Sequence, residues 1–170
     1  MRKFRLFAPV LLVAGLAACS HGHKTTILTG NGTATVTTSQ DNQTATITTK
    51  GGSMTMGKGA VDISKLGVPV YPGAVAGAGG YAMSGPQGSG EMATLTTADP
   101  FEKVYQWYKS QMPAGSQQMK VESGDSSIAE FAVSKSANDR TTIMITSKKD
   151  ETDIVVTHSV SVPSPAGEAP

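Results

Sequence analysis

Residues 99–112 read DPFEKVYQWYKSQM, and the spacing within this stretch decides how the rest of the chain is interpreted. Its large apolar side chains recur every three or four residues, which is typical of a helix with one buried face. Asp99 is a suitable N-cap, and Glu102, three residues later, completes the pattern of a capping box. The stretch predicts a helix over residues 99–112 that packs on a sheet through the following side chains: Phe101, Val104, Tyr105, Tyr108 and Met112.

Segments with the alternating pattern of β-strands lie on both sides of this helix. One precedes it at residues 91–97, and four follow it: 118–122, 128–133, 141–147 and 154–162. Short polar turns separate the four later segments, which indicates an antiparallel meander. We therefore expect an α+β domain over residues 60–163, with an antiparallel sheet of about five strands packed by the one helix.

A threonine-rich region, residues 25–59, precedes this domain. It contains two similar segments, TATVTT at 33–38 and TATITT at 44–49, separated by turn-forming residues. Threonine is β-branched and favours a half-exposed pleated surface, so the pair predicts a β-hairpin, with a third strand at residues 53–56. Because an isolated hairpin is only marginally stable in water, this one must lean on the domain or on a neighbour.

Residues 77–90 are rich in glycine and are predicted to form a loop. The loop lacks the G-x-G-x-x-G spacing of a dinucleotide site and the lysine of a P-loop, so we expect no nucleotide there.

The N-terminal residues form a separate unit. Arg2, Lys3 and Arg5 precede the uncharged residues 6–18, a segment too short to span a bilayer stably. Residues 16–19 read LAAC and include the only cysteine of the chain. This arrangement resembles the lipobox of bacterial lipoproteins.

The resemblance implies a signal peptide over residues 1–18 and cleavage before Cys19, whose sulfur and amine would carry acyl chains. Residues 19–24 then form the lipidated cysteine and a tether, and the membrane is a partner through the anchor. Lipoproteins with Asp after the cysteine tend to stay in the inner membrane. Ser20 therefore favours the outer membrane, with the protein facing the periplasm.

A second resemblance covers less than a third of the chain. The turn PVYPGA at 69–74, the segment TTADP at 96–100 and the tyrosine-rich helix are similar to a pattern in small uncharacterised bacterial envelope proteins. It implies no activity. Within it, Tyr71 and Trp107 are candidate contact residues, since Trp107 either packs under the 70–71 loop or is half exposed.

Charge and composition exclude some functions. Loss of residues 1–18 removes three of the 14 basic residues and leaves 11 against 13 acidic ones, a net charge of −2. This balance lacks the basic footprint of a nucleic-acid binder, so no nucleic acid is expected. The proline-rich residues 164–170 are predicted to be a disordered tail.

Metal-ligating and catalytic residue types are sparse. His21 and His23 flank one glycine in the tether, and Met54 and Met56 share one strand face, where thioethers could bind Cu(I). Neither pair supplies a full ligand set, and His158 has no recognisable triad partners. We expect no metal, no cofactor and no catalytic residues.

The sequence thus predicts a lipid-anchored, non-enzymatic envelope protein with a structural or protein-interaction role and an envelope protein as partner. The alternative is a lipoprotein that binds a small ligand or copper, between the glycine-rich loop and the helix. An enzyme of unknown type is the third hypothesis.

Overall fold

A computed structural model of the chain describes residues 22–29, 32–124 and 126–163. The predicted signal peptide, Cys19, His21 and the predicted tail over 164–170 lie outside the described residues. No helix in the described part of the chain is long and apolar enough to cross a membrane.

The described residues form ten β-strands and one α-helix. The strands before the helix are β1 (Lys24–Thr29), β2 (Gly32–Thr38), β3 (Thr44–Thr49), β4 (Gly52–Gly57), β5 (Val75–Gly85) and β6 (Gly88–Thr97). The helix α1 (Phe101–Gln111) and the strands β7 (Gln117–Ser123), β8 (Ser126–Ser136), β9 (Asp139–Ser147) and β10 (Thr152–Ser161) follow. A 3-10 turn, Ile63–Lys65, interrupts the connection from β4 to β5.

All ten strands belong to one antiparallel sheet in the order β1-β2-β3-β4-β5-β6-β10-β9-β8-β7. The prediction of an α+β domain with about five strands is therefore wrong: the chain is mostly β, with a single short helix. The two predicted threonine-rich segments do pair, as β2 with β3. They extend the main sheet because β4 pairs with β5, aligning Met54 with Met83.

The glycine-rich residues 77–90 also differ from the prediction. Most of them lie in β5 and in the beginning of β6, which are joined by a tight turn at Pro86 and Gln87. In this hairpin Gly85 lies directly opposite Gly88, and Met83 lies directly opposite Gly90. β5 also pairs with β4, and β6 also pairs with β10. These additional backbone hydrogen bonds compensate for the low strand propensity of glycine.

The hydrophobic core lies between one sheet face and α1, with the 58–74 connection closing its side. Tyr108, Phe131 and Leu66 are among the largest side chains with almost no exposed surface. Thr141 donates a hydrogen bond from its hydroxyl to the Leu66 carbonyl, 3.2 Å away, which fixes the connection on the sheet. We call this side of the sheet the helix face and the opposite side the uncovered face.

The start of α1 differs from the predicted capping box. Pro100 occupies the N-cap position, and no side chain caps the helix. The Asp99 carboxylate instead accepts hydrogen bonds from the Tyr71 hydroxyl and from Lys103, at 2.8 Å each. Glu102 accepts hydrogen bonds from Gln106 and Lys120. The predicted N-cap is wrong because a residue 28 positions earlier in the chain binds the carboxylate.

Lys120 fastens the outer strand β7 to the helix. Its ammonium lies 2.6 Å from Glu102, 2.8 Å from Glu122 and 4.7 Å from the centre of the Tyr105 ring. Hydrogen bonds to the two carboxylates raise the pKa of Lys120, so this side chain stays charged.

Candidate functional site

The uncovered face carries most of the exposed hydrophobic surface. Alternation along each strand assigns eight of the eleven exposed large hydrophobic side chains of the described residues to this face. They are Ile27, Met56, Val75, Met83, Met119, Val121, Ile128 and Met144. Exposed apolar residues scattered singly are ordinary, but a concentration on one face of a sheet indicates a contact surface.

Methionine is unusually concentrated there. Six of the seven methionines in the described residues point to the uncovered face: Met54, Met56, Met83, Met92, Met119 and Met144. The first four lie on the adjacent strands β4, β5 and β6. Met54 is directly opposite Ile47 on one side and Met83 on the other. Flexible, polarisable methionine side chains are typical of surfaces that adapt to varied apolar ligands.

A groove crosses this part of the uncovered face. It has a volume of about 640 Å³ and lies between the β3–β4 turn, the β5–β6 turn and the last residues of β10. Ile47, Met54, Tyr81 and Met83 provide its apolar walls. Pockets that hold small ligands measure roughly 300–1,000 Å³, so the groove has the size of a ligand site.

Glycines keep the groove open. Five line it: Gly51, Gly52, Gly85, Gly88 and Gly90. Gly88 has φ of 134°, and a Cβ there would lie 2.0 Å from the Val160 carbonyl oxygen, so only glycine fits. Gly90 is different, since a Cβ would meet Met83 at 3.4 Å and otherwise occupy the groove.

Electrostatics separate this region from the rest of the surface. No charged side chain of β1–β6 points to the uncovered face, according to the register and sequence of the described residues. Farther along the sheet, Arg140 lies 3.9 Å from Glu130, and Asp153 lies 2.6 Å from Lys148. Because these charges are paired with each other, they do not attract an ionic ligand to this face. The face therefore suits an uncharged ligand.

His158 borders the groove through its backbone only. Its position in β10 directs the imidazole to the helix face, where Nε2 lies 3.1 Å from an Asp139 oxygen. Among the described residues, no three side chains of His, Cys, Asp or Glu come together as metal ligands. His23 directly precedes β1, and its carbonyl accepts a hydrogen bond from the Thr38 amide.

The two candidate contact residues from the sequence lie away from the groove. Tyr71 is 3% exposed, and its ring meets Trp107 edge-on with centroids 5.3 Å apart. Burial and the hydrogen bond to Asp99 raise the pKa of Tyr71 to about 12. Trp107 is half-buried and also contacts Tyr108 edge-on at 4.8 Å. Both residues hold α1 against the 58–74 connection, on the helix face.

The sequence indicates only part of the groove. Met54 and Met56 share one predicted strand face, but the sheet partners of Met83 and Met92 are not evident from their segments. The available signal was the alternation of residues 80–84, in which Tyr81 and Met83 alternate with smaller residues. Recognising residues 77–85 as a strand that turns at residues 86–87 would have placed Met83 and Met92 on one face.

No protein-family model matches the chain, and neither a curated protein nor a solved structure matches it. The fold and the site together define a mostly antiparallel β protein with an open, methionine-rich apolar face. The resemblances to lipoproteins and to small envelope proteins rest on sequence motifs alone.

Proposed function

We propose that the protein is a lipid-anchored envelope protein, attached through acyl chains on Cys19, whose role is binding and not catalysis. The LAAC motif after a basic and then apolar segment supports the anchor. Ser20 supports the outer membrane, with the folded chain facing the periplasm. Two or more acyl chains give stable attachment, because each buried CH₂ contributes about 0.8 kcal/mol.

We infer that the molecule bound on the uncovered face is an uncharged, elongated apolar one, of the chemical class of a hydrocarbon chain. The observation that carries this inference is the groove: about 640 Å³, walled by Met54, Met83 and Ile47, and opened by glycines. Its surroundings on β1–β6 carry no charge that would pair with an ionic ligand. The geometry therefore favours a small apolar ligand over the protein partner that the sequence placed first. The groove lies on the face opposite α1, and not between the glycine-rich segment and the helix as the alternative from the sequence had it.

Cu(I) is the second candidate ligand, and one specific observation favours it. Met54 and Met83 are cross-strand neighbours, and Met56 is two residues from Met54 on the same face. Side chains in such positions have Cβ atoms roughly 5–8 Å apart, within reach of one ion. Thioethers are soft ligands that select Cu(I) over harder ions.

The apolar-ligand proposal is tested by filling the groove. The chain from residue 20 onward is titrated with N-phenyl-1-naphthylamine, whose fluorescence rises in apolar surroundings. The backbone of Gly90 does not have a positive φ, so Gly90→Val should not strain the strand. The added side chain occupies the groove, so probe affinity should fall about tenfold, or about 1.4 kcal/mol. Gly79→Val is the matched control, since a Cβ there meets nothing within 4 Å. Equal probe affinity in both variants would remove the groove as the site.

A methionine variant separates the two candidates. Replacing Met54, Met56 and Met83 together by leucine keeps apolar volume but removes the thioethers. Probe binding should persist in this variant if the ligand is apolar. A one-to-one Cu(I) complex of the unsubstituted chain, lost in the triple variant, would instead favour copper.

The anchor is tested independently in the full chain. Cys19→Ser removes the sulfur needed for the thioether, so incorporation of labelled palmitate should stop and the unprocessed precursor should accumulate. Labelling that persists in this variant would overturn the proposed attachment.

A further inference from the structure

The two outer strands of the sheet differ in how their edges are protected. Edge strands expose unpaired backbone groups, and proteins commonly protect them with charges, proline or bulges. β7 carries Lys120 and Glu122, and Lys120 ties it to α1. β1 has one charged residue, Lys24, at its end, and neither proline nor a bulge.

The exposed backbone groups of β1 can be assigned from the hydrogen-bond pattern. The Thr38 amide donates to the His23 carbonyl at 2.8 Å, so residue 23 directs its carbonyl toward β2. Residues bonded to a neighbouring strand alternate with residues directed away from it. Lys24, Thr26 and Leu28 therefore direct their N–H and C=O groups outward, and within the described residues no strand lies beyond them.

The side chains at this edge are also exposed. Leu28 is 86% exposed, the largest value among the exposed large hydrophobics, and Ile27 is 49% exposed. Leu28 points to the helix face and Ile27 to the uncovered face, so the edge presents an apolar side chain on each side.

We propose that β1 pairs with β1 of a second copy of this chain, antiparallel and about a two-fold axis at Ile27. In this register Ile27 lies opposite Ile27 of the other copy, and Leu28 opposite Thr26. The axis is perpendicular to the sheet, so each face continues across the junction. The two Lys24 ammonium groups lie at opposite ends of the paired strands, which avoids like-charge repulsion.

The second copy suits this edge because its strand places Ile27 against Ile27 on the uncovered face and Leu28 against the Thr26 methyl group on the helix face. The register centred on Thr26 places Leu28 against Lys24 and Ile27 against Thr25, and so pairs neither large apolar side chain with another. The register centred on Leu28 pairs Leu28 with itself but aligns only residues 27–29 of each strand, whereas the proposed register aligns residues 25–29. Anchoring at Cys19, if it occurs, would also confine copies to one surface and raise their local concentration. The inference does not depend on the groove or its ligand.

Disulfide formation tests the register directly. Ile27 is in a non-hydrogen-bonded position of the proposed pair, where Cα atoms lie about 4.5 Å apart. That distance is within the range of about 4.4–6.8 Å found for disulfides. In the full chain, Ile27→Cys should give a covalent dimer when cells are treated with diamide, which enters every compartment.

Two matched variants control for exposure and register. Met119→Cys lies on β7 with 52% of its surface exposed, close to the value for Ile27, but at the charged edge. Leu28→Cys lies on β1, yet its Cα is about 8 Å from the equivalent atom in the proposed register. We expect Ile27→Cys to crosslink about tenfold faster than either control. The unsubstituted chain, whose only cysteine is Cys19, measures the background crosslinking through that residue.

A proline variant supplies a second readout. In the Ile27→Cys chain, Thr26→Pro removes an outward N–H and leaves the bonds to β2 intact, whereas Thr26→Val keeps that N–H. Crosslinking should fall about tenfold with proline and stay unchanged with valine. Crosslinking of Ile27→Cys no faster than Met119→Cys, or unaffected by Thr26→Pro, would overturn the proposal. Faster crosslinking of Leu28→Cys would overturn the register.

Discussion

The Tyr71 hydroxyl donates a 2.8 Å hydrogen bond to the Asp99 carboxylate, joining the 58–74 connection to a residue two positions before α1. The Thr152 hydroxyl binds the Asp99 carbonyl at 2.8 Å, so the same residue is also tied to β10. One aspartate thereby fixes the helix start to two parts of the fold.

Tyr71→Phe should weaken this junction. The substitution removes one hydrogen bond to a carboxylate that is partly exposed, so the free energy of unfolding should fall by about 1 kcal/mol at pH 7. Lys103 and Tyr71 hold the pKa of Asp99 below its usual value, so their stabilisation is lost as pH falls through that pKa. Denaturant melts should show the difference from the unsubstituted chain shrinking below about pH 4. Tyr81→Phe, in the groove, is the control and should change little.

Alkaline pH should destabilise the fold through Tyr108. Burial raises the pKa of Tyr108 to about 12, against the smaller opposing effect of the Tyr71 backbone. The unfolded chain therefore releases this proton first, near pH 10, and the free energy of unfolding falls as pH rises toward 12. The slope from one tyrosine is at most about 1.4 kcal/mol per pH unit. Melts of Tyr108→Phe between pH 9 and 11.5 should show a smaller slope; an equal slope would contradict the assignment.

Tyr108→Ala should be among the most damaging single changes in the helix. Its side chain is fully buried and its ring lies 6.3 Å from that of Phe131, so truncation leaves a cavity. We expect a loss of about 3–5 kcal/mol in the free energy of unfolding. Ser110→Ala, on the exposed side of α1, removes one hydrogen bond to the Trp107 carbonyl and should cost less than about 1 kcal/mol. Similar melts for both variants would mean that the buried helical face is wrongly assigned.

Trp107→Ala should have an intermediate effect. The indole is half-buried and makes edge-to-face contacts with Tyr71 and Tyr108, with interplanar angles of 82° and 85°. Aromatic pairs of this kind contribute about 0.5–1.5 kcal/mol beyond burial, so a loss of about 2 kcal/mol is expected. Trp107→Phe should recover part of it. An unchanged midpoint for Trp107→Ala in a denaturant melt would show that the indole does not hold α1, and would favour a contact role.

The helix could be predicted from the sequence because its signal is local. Tyr105 and Tyr108 are spaced as one helical face, and both are buried in the fold. The function of Asp99 could not be predicted, since its hydrogen-bond partner Tyr71 comes from a distant part of the chain. The local sequence favours Asp99 as the helix N-cap, but in the fold its carboxylate binds Tyr71 instead.

The number of strands and the groove depend on pairing between distant segments. Gly80 and Gly85 disfavour a strand locally, yet β5 forms because β4 and β6 satisfy its backbone on both sides. The alternating residues 44–49 and 53–56 were recognised as strands, but no local feature shows that Met54 meets Met83. The groove follows from that pairing, so the sequence alone predicted its methionines only in part.

The position of β10 has a consequence for the order of folding. The last strand in sequence lies between β6 and β9, and aligns Ile154 with Leu95 on one side and with Ile145 on the other. Strands β1–β6 and the β7–β9 meander cannot join into one sheet until β10 has formed between them. Such late, non-local closure slows folding and leaves β6 and β9 as temporary edges. Completion of the sheet thus depends on the strand that comes last in sequence, and truncation within β10 would separate the sheet into two halves with no strand between them.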